Sequence, residues 1–124
     1  MKILVIDDDQ LMLTAMTWKL KEQGFEISTS CDAMEAISLI QKRNIDLIIS
    51  DIMMPGMSGL ELLSLLKQFY LNKIPLILMS SLDEGNLILK SLDLGAYDFI
   101  TKPIDFDSLH KKICDIQKGI SAKN

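Results

Sequence analysis

Cysteine, histidine and proline are scarce in this chain, which contains two cysteines, one histidine and three prolines. Cys31 and Cys114 lie far apart in the sequence and share no ligand-like spacing with His110. This excludes a small disulfide scaffold and a zinc site built from cysteine and histidine. We expect both thiols to be ordinary buried side chains in a reducing compartment, and we expect no functional role for His110.

Long apolar runs are also absent, since no stretch approaches the roughly 18–20 apolar residues that a membrane span needs. The apolar start at Met1–Ile6 ends at three aspartates and is too short for a signal peptide. A formal net charge of −4 argues against direct binding of nucleic acid. We therefore expect a soluble, cytoplasmic protein that contacts neither membrane nor nucleic acid.

The chain has the size and composition of one compact domain, with 124 residues of which 48% are hydrophobic and 24% charged. This composition excludes intrinsic disorder. We place the domain at residues 1–118 and interpret the polar residues 119–124 as a tail or the start of a linker.

Five short apolar runs alternate with longer amphipathic segments. The runs are Ile3–Ile6, Glu26–Thr29, Leu47–Ser50, Leu76–Met79 and Tyr97–Ile100. Most are continuously apolar, which is typical of parallel strands covered on both faces. Strands joined by helical crossovers pair in parallel with right-handed connections. The sequence therefore predicts an α/β fold, a three-layer, doubly wound, five-stranded parallel sheet with five helices.

Several helices carry capping residues at their predicted starts. Ser58–Glu61 and Ser81–Glu84 match the capping box, and Asp32 with Glu35 is a variant of it. Asp9 is expected to cap the first helix.

Most of the reactive side chains come directly after the predicted strands. They are Asp7, Asp8 and Asp9 after the first run, Ser50 and Asp51 after the third, Ser80 and Ser81 after the fourth, and Thr101 and Lys102 after the fifth. Ligands of open α/β sheets bind beyond the carboxyl ends of the strands, near the point where the strand order reverses. We therefore expect these side chains to converge on one site.

Three carboxylates and one ammonium dominate the charge of that site. Two like charges about 4 Å apart are destabilised by about 4 kcal/mol at an effective dielectric constant of about 20. Asp7, Asp8 and Asp51 therefore require either a protonated carboxyl or a bound cation beside Lys102. Oxygen ligands with room for water favour Mg²⁺ over Ca²⁺. Adjacent Asp7 and Asp8 can share an ion if the strand is already turning, or if one binds through water.

The same groups are suited to phosphoryl transfer. An aspartate can act as the nucleophile and become an acyl phosphate. We assign this role to Asp51, because it emerges from the middle of the sheet between the other groups. Mg²⁺ and Lys102 would neutralise the phosphoryl oxygens, and Ser80 would donate a hydrogen bond to one of them.

Four motifs at these spacings resemble the receiver domain of bacterial two-component response regulators, including chemotaxis regulators: Asp7–Asp8, Asp51–Gly59, Ser80–Ser81 and Lys102–Pro103. The resemblance covers about residues 2–118 and implies the flavodoxin-like strand order 2-1-3-4-5 known for such receivers. It implies that Asp51 is the phosphoacceptor. It also implies that Asp7, Asp8, Asp51 and the backbone carbonyl of Met53 bind the cofactor Mg²⁺.

The resemblance also assigns the other site residues and the partners. Ser80 and Lys102 would hold the phosphoryl group, and the Lys102–Pro103 bond would be cis. Ser80 and Phe99 would form a switch that changes the surface of the fourth helix, fifth strand and fifth helix. The partners would be a histidine kinase or phosphotransfer protein docking near Leu11, an output domain or target protein, and a second copy after phosphorylation. Such a domain phosphorylates and dephosphorylates itself and is not an enzyme with a separate substrate.

Two other functions fit part of this pattern. Phosphatases of the haloacid dehalogenase type carry their nucleophile on the first strand as Asp-x-Asp-x-Thr/Val. Asp7 and Asp9 fit the first half of that motif, Leu11 does not fit its end, and the chain is short for a substrate-covering cap. A pseudo-receiver, which binds proteins without being phosphorylated, typically lacks at least one of the site residues, and here all are present.

Overall fold

Strands and helices alternate along the chain. This computed structural model describes residues 1–54, 56–69, 74–81 and 85–123, and at residues 69 and 120–123 it describes the backbone alone. The strands are β1 (Lys2–Ile6), β2 (Glu26–Ser30), β3 (Leu47–Asp51), β4 (Leu76–Ser80) and β5 (Asp98–Thr101). The helices are α1 (Gln10–Glu22), α2 (Ala33–Lys42), α3 (Gly59–Phe69), α4 (Gly85–Asp93) and α5 (Phe106–Lys123). Each predicted strand end lies within one residue of the observed one.

The five strands form one parallel sheet in the order β2-β1-β3-β4-β5. Ile6 at the end of β1 lies opposite Ser30 of β2 on one side and Ser50 of β3 on the other. From β1 the chain places β2 on one side and β3 on the other, so the strand order reverses there and a crevice opens beyond the carboxyl ends. The predicted fold class and strand order are confirmed.

Helices cover both faces of the sheet, because successive strand residues point to opposite sides. On one face, Leu4 and Ile48 pack with side chains of α2 and α3, such as Ala36 and Leu62. On the other face, side chains of α1 and α5 join a second core. Its members include Ile3, Ile49, Met16, Leu109 and Ile113. The predicted three layers are therefore present, and the three central strands β1, β3 and β4 are almost fully buried.

The predicted helix caps within the described residues are confirmed. The Asp9 carboxylate accepts hydrogen bonds from two amides in the first turn of α1. The Glu35 amide donates to Asp32 Oδ1 at 2.8 Å, and the Glu61 amide donates to Ser58 Oγ at 3.2 Å. These bonds pair amide groups that a helix start leaves without a partner.

Helix α5 continues to Lys123, past the domain boundary predicted at residue 118. Residues 119–123 are therefore helical, and their role as a tail or linker stays a prediction. The cap predicted at Ser81–Glu84 includes residues 82–84, which lie outside the described residues. Within the described part of the chain, every helix is too short or too polar to span a membrane.

The prediction that both thiols are buried is wrong. Cys31 and Cys114 are both half-buried. Cys31 follows β2, which is an edge strand and is only partly covered. Cys114 lies beside the buried stripe of α5 and not on it. A spacing of four residues puts His110 on the same helix face, and its Nε2 lies 3.4 Å from Cys114 Sγ.

Candidate functional site

Reactive side chains lie at the carboxyl ends of four neighbouring strands. Asp7 directly follows β1, Asp51 and Ser80 are the last residues of β3 and β4, and Lys102 directly follows β5. The sheet order β1-β3-β4-β5 sets these positions in one row. The sequence predicted this convergence, because these reactive residues follow the apolar runs of the chain.

Lys102 joins two carboxylates that come from different strands. Its Nζ donates to Asp7 Oδ2 at 3.2 Å and to Asp51 Oδ2 at 3.1 Å. The side chain of Asp7 is 1% exposed and that of Asp51 is 12% exposed. A carboxylate with so little access to water is strongly destabilised unless it is paired. The ammonium of Lys102 therefore allows the two acids to lie side by side.

Burial raises the pKa of the Asp7 carboxyl, and the nearby charge of Asp51 raises it further. A hydrogen bond from the Asp9 amide and the ammonium of Lys102 offset this rise only in part. For Lys102, burial acts to lower the pKa, but the hydrogen bonds and charges of Asp51 and Asp7 outweigh it, so that its pKa is raised. The site thus holds a firmly protonated ammonium beside an acid that ionises with difficulty.

Asp8 completes a group of three carboxylates that suits a small divalent cation. One carboxylate oxygen from each of Asp7, Asp8 and Asp51 lies within 4.8 Å of the other two. Because β1 ends at Ile6 and the chain turns at once, the adjacent Asp7 and Asp8 reach the same space, the first buried and the second exposed. Lys102 neutralises one of the three charges. The remaining charge and the all-oxygen donors fit Mg²⁺.

Ser80 brings an unpaired hydroxyl to the strand next to Asp51. The residue is fully buried, and its Oγ has no hydrogen-bond partner among the described residues. Its backbone carbonyl accepts a 2.7 Å hydrogen bond from the Lys102 amide, which ties the end of β4 to the start of the loop after β5. A buried hydroxyl without a partner destabilises a protein by about 1–3 kcal/mol. A bound group with acceptor oxygens would remove that penalty.

Gly59 allows α3 to begin directly against the strand end that carries Asp51. Its amide donates to the Ile52 carbonyl at 2.9 Å. A Cβ at this position would lie 2.5 Å from the backbone oxygen of Asp51 and 3.0 Å from Ile52 Cα, so no side chain fits unless the backbone moves. The sequence motifs gave Gly59 no individual role. One signal was available, since Gly59 directly follows the helix cap Ser58 at a position where alanine would favour the helix.

Three residues that the resemblance assigned lie around the charged groups. The Met53 amide donates to Asp51 Oδ1 at 3.4 Å, while the role of its carbonyl as an ion ligand stays a prediction. Phe99 is half-buried and packs on the core beneath α2 and α3, and its switching role stays a prediction. The Lys102–Pro103 peptide bond is cis. Pro55, in the loop after Asp51, lies outside the described residues.

Together these groups supply the elements of phosphoryl transfer at one end of a rigid sheet. Asp51 offers a carboxylate oxygen as nucleophile, and Lys102 offers a fixed positive charge. Asp7 and Asp8 offer cation ligands, and Ser80 offers a spare hydrogen-bond donor. In a doubly wound sheet, the switch point that carries these groups is the place where ligands bind.

The chain belongs to the response regulator receiver domain family, whose description matches residues 3–114. Domains of this family are signalling modules of two-component systems. They interact with histidine kinases and with output domains, and the family uses Mg²⁺ in phosphorylation.

Two curated relatives are similar to most of this chain. It is 37% identical over 109 residues to the probable transcriptional regulator ycf29 of Pyropia yezoensis, covering 87% of the chain and 49% of that protein. It is 34% identical over 102 residues to the alkaline phosphatase synthesis transcriptional regulatory protein PhoP of Bacillus subtilis, covering 82% of the chain and 42% of that protein. The chain thus spans about half the length of these relatives.

Solved receiver structures share the fold along almost the whole chain. The receiver domain of the Francisella response regulator 1452 is 34% identical, with a TM-score of 0.88 and coverage of 96% of this chain and 98% of that one. The chemotaxis protein CheY4 of Vibrio cholerae is 26% identical, with a TM-score of 0.84 and coverage of 93% and 97%.

Proposed function

We propose that this chain accepts a phosphoryl group on Asp51 from a phosphohistidine of a sensor kinase or histidine phosphotransfer protein, in a reaction that requires Mg²⁺. One observation carries the proposal. Asp51 shares the Lys102 ammonium with the buried Asp7, one strand away from the unpaired hydroxyl of Ser80. A nucleophile, a fixed positive charge and a free donor are the groups that a transferring phosphoryl requires.

The transfer exchanges one bond to phosphorus for another. A carboxylate oxygen of Asp51 forms a P–O bond as the P–N bond of the phosphoimidazole breaks, and the electron pair of that bond returns to the imidazole nitrogen. Lys102 stays beside the carboxylate and offsets the charge on the phosphoryl oxygens. Hydrolysis of the acyl phosphate returns the Asp51 carboxylate and inorganic phosphate. The chain therefore modifies and restores itself, without a separate substrate.

Asp7, Asp8, Asp51 and the Met53 carbonyl would hold Mg²⁺. When bound, the ion supplies positive charge that stabilises the phosphoryl oxygens. The donor set supports this assignment, since the three carboxylates converge within 4.8 Å and Lys102 is the one positive charge paired with them among the residues that the structure describes. Burial raises the pKa of Asp7, and a bound cation would favour the ionised form of this carboxyl.

Phosphorylation would be read out on the surface formed by α4, β5 and α5. The Ser80 hydroxyl would gain its missing partner by bonding to the phosphoryl group, and Phe99 on β5 would move inward in response. Leu89 and Tyr97 support this surface as a contact site, because they are 65% and 52% exposed there. We propose an output domain, a target protein or a second phosphorylated copy as the partner.

The phosphodonor would dock on the start of α1, next to the acidic site. Leu11 supports this, since a leucine that is 82% exposed lies two residues after the capping residue Asp9. Gln10 and Thr14 lie on the same exposed helix start. We further propose that residues 1–118 form the receiver, that residues 119–124 lead into a tail or linker, and that the protein works in the cytoplasm.

Intact mass spectrometry after incubation with acetyl phosphate tests the phosphoacceptor. We expect one added phosphoryl group in the presence of Mg²⁺ and none with chelator or in Asp51→Asn. Asp115→Asn is the matched control, because Asp115 is an exposed aspartate of α5, and it should be labelled like the wild type. Labelling of Asp51→Asn at the wild-type rate would contradict the assignment.

A phosphoryl analogue provides a second test, for the case in which phosphorylation by acetyl phosphate is not observed. If acetyl phosphate gives no adduct, Mg²⁺ with beryllofluoride should still bind, because it mimics the acyl phosphate without requiring the chemical step. Absence of both the adduct and the analogue complex would refute the proposal and indicate a protein-binding module that is not phosphorylated.

A further inference from the structure

Helix α5 carries a thiol and an imidazole in hydrogen-bond contact, outside the site around Asp51. Cys114 and His110 are four residues apart, so they lie on one face of the helix. The Sγ of Cys114 is 3.4 Å from Nε2 of His110. In the neutral pair the thiol donates to the imidazole, and after proton transfer the imidazolium donates to the thiolate. The same geometry serves both states.

The imidazole is held in place from its other side. The ring of His110 meets the ring of Phe25 edge-on, with centroids 5.9 Å apart and planes at 60°. Phe25 is buried in the core between the sheet and helices α1 and α5. The contact with this core residue supports the His110 ring on the side away from Cys114.

We propose that Cys114 is a thiol-modification site that undergoes exchange with low-molecular-weight disulfides, with His110 as the group that takes up the thiol proton. The proton moves from Sγ to Nε2, and the thiolate attacks one sulfur of the disulfide. A new S–S bond forms to Cys114 as the S–S bond of the reagent breaks. The leaving thiolate carries away the electron pair and is protonated by the imidazolium. Cys114 is oxidised and half of the disulfide is reduced.

Cys31 provides an internal comparison within the same molecule. It is half-buried like Cys114, so both thiols have partial access to solvent. The side chain of Cys31 makes no hydrogen bond or ion pair with any residue that the structure describes, and it packs against the apolar core. The pairing with an imidazole is therefore what separates the two cysteines. Thiolates next to a histidine are the reactive ones in proteins.

The size of the expected effect is bounded by how little of an ordinary cysteine reacts at pH 7, since only a few per cent of it is thiolate. A base beside the thiol that takes up its proton during the attack removes part of this limit. We therefore expect Cys114 to react about tenfold faster than Cys31.

Exchange with glutathione disulfide at pH 7 tests the proposal on the whole chain, with site-resolved mass spectrometry of each cysteine. We expect Cys114 to form the mixed disulfide about tenfold faster than Cys31, and both to react at similar rates after unfolding in urea. In Cys114→Ser, the fast phase should disappear and the rate of Cys31 should stay unchanged.

Two substitutions separate proton uptake from packing. His110→Phe keeps a ring against Phe25 and removes the base, while His110→Gln removes the ring and keeps a polar group. Both should lower the Cys114 rate to that of Cys31, with the folded state checked by circular dichroism. The proposal is overturned if native Cys114 is no faster than Cys31, or if folded His110→Phe keeps the wild-type rate. The comparison of Cys114 with Cys31 in the native protein needs no variant, so it remains valid even if a substitution prevents folding.

Discussion

Two halves of the candidate site are built on neighbouring strands but differ in how they are held. The charged half consists of Asp7, Asp8, Asp51 and Lys102, and ion pairs of 3.1 and 3.2 Å join Lys102 to Asp51 and Asp7. The hydroxyl half consists of Ser80 and Phe99. Its buried hydroxyl has no partner in the described part of the chain, and its ring is only half-buried.

This difference separates a part of the site that is assembled in advance from a part that gains contacts later. Opposite charges hold the charged half in its reactive geometry, so little reorganisation is needed when a phosphoryl group arrives. The hydroxyl half is destabilised by an unmade hydrogen bond. A phosphoryl oxygen would supply that bond, and free energy would then favour rearrangement there. Substitutions in the two halves should therefore have opposite effects on stability.

Removing Lys102 should have the largest effect. In Lys102→Ala the buried Asp7 and Asp51 lose their shared cation, and we expect a loss of about 3 kcal/mol in unfolding free energy with chelator present. Mg²⁺ should restore part of the loss, because the ion would neutralise the same carboxylates. Urea denaturation with and without Mg²⁺ measures both values. Lys111→Ala, which removes an exposed lysine of α5, serves as the control and should change stability by less than about 0.5 kcal/mol.

Adding one methyl group at Gly59 should have the next largest effect. In Gly59→Ala the new Cβ would lie 2.5 Å from the Asp51 backbone oxygen, so α3 must shift away from the strand end. We expect a loss of about 2 kcal/mol and slower phosphorylation by acetyl phosphate. Gly85→Ala is the matched control, because its Cβ meets nothing within 4 Å. Equal stability of the two variants would show that Gly59 does not position the strand end that carries Asp51.

Removing the Ser80 hydroxyl should have a smaller effect of the opposite sign. Ser80→Ala deletes a buried donor that has no partner, so the unphosphorylated protein should gain about 1 kcal/mol. Ser91→Ala is the matched control. Its buried hydroxyl donates to the Ile88 carbonyl at 2.6 Å, and its loss should destabilise by about 1 kcal/mol. Chemical denaturation of both variants tests the contrast, and destabilisation of both would remove the distinction between the two halves.

The smallest effect at any one pH should come from ionisation of Asp7. Its pKa is raised in the folded protein, chiefly by burial, from an ordinary value of 3.8. The folded state therefore binds this proton more tightly than the unfolded state, and the resulting stability is present below pH 3.8 and lost as pH rises through the raised pKa. In chelator, Asp7→Asn should lack this decline. Denaturation curves of both proteins across that pH range measure the difference. A parallel pH dependence would contradict the raised pKa.

Sequence predicted most of the fold because its signals are local. Short continuous apolar runs such as Leu47–Ser50 are typical of buried strands, and residues such as Asp32 and Ser58 fix helix starts through short-range hydrogen bonds. The strand order came from resemblance, since several orders satisfy the same pattern. Helix α5 extends past the domain boundary predicted at residue 118, because apolar periodicity does not mark where a helix ends.

In the site, sequence predicted which residues converge but not how they are paired. The positions of Asp51 and Lys102 after their strands place them at one edge, whereas the shared ion pair with Asp7 depends on where the loops turn. The missing partner of the Ser80 hydroxyl has no sequence signal at all, because it is a property of the surrounding packing. The His110–Cys114 contact was readable from its spacing of four residues.

We propose that the site has a charged half that is assembled in advance and a hydroxyl half that gains its contacts later. The most direct test of this division is the effect of Ser80→Ala on stability, measured with and without Mg²⁺ and beryllofluoride. Without the analogue, the variant should be more stable than the wild type. With the analogue bound at Asp51, the Ser80 hydroxyl gains its partner, so the wild type should become the more stable protein and bind the analogue about tenfold more tightly. The same sign in both conditions would contradict the account, because Ser80 would then gain nothing when the phosphoacceptor is occupied.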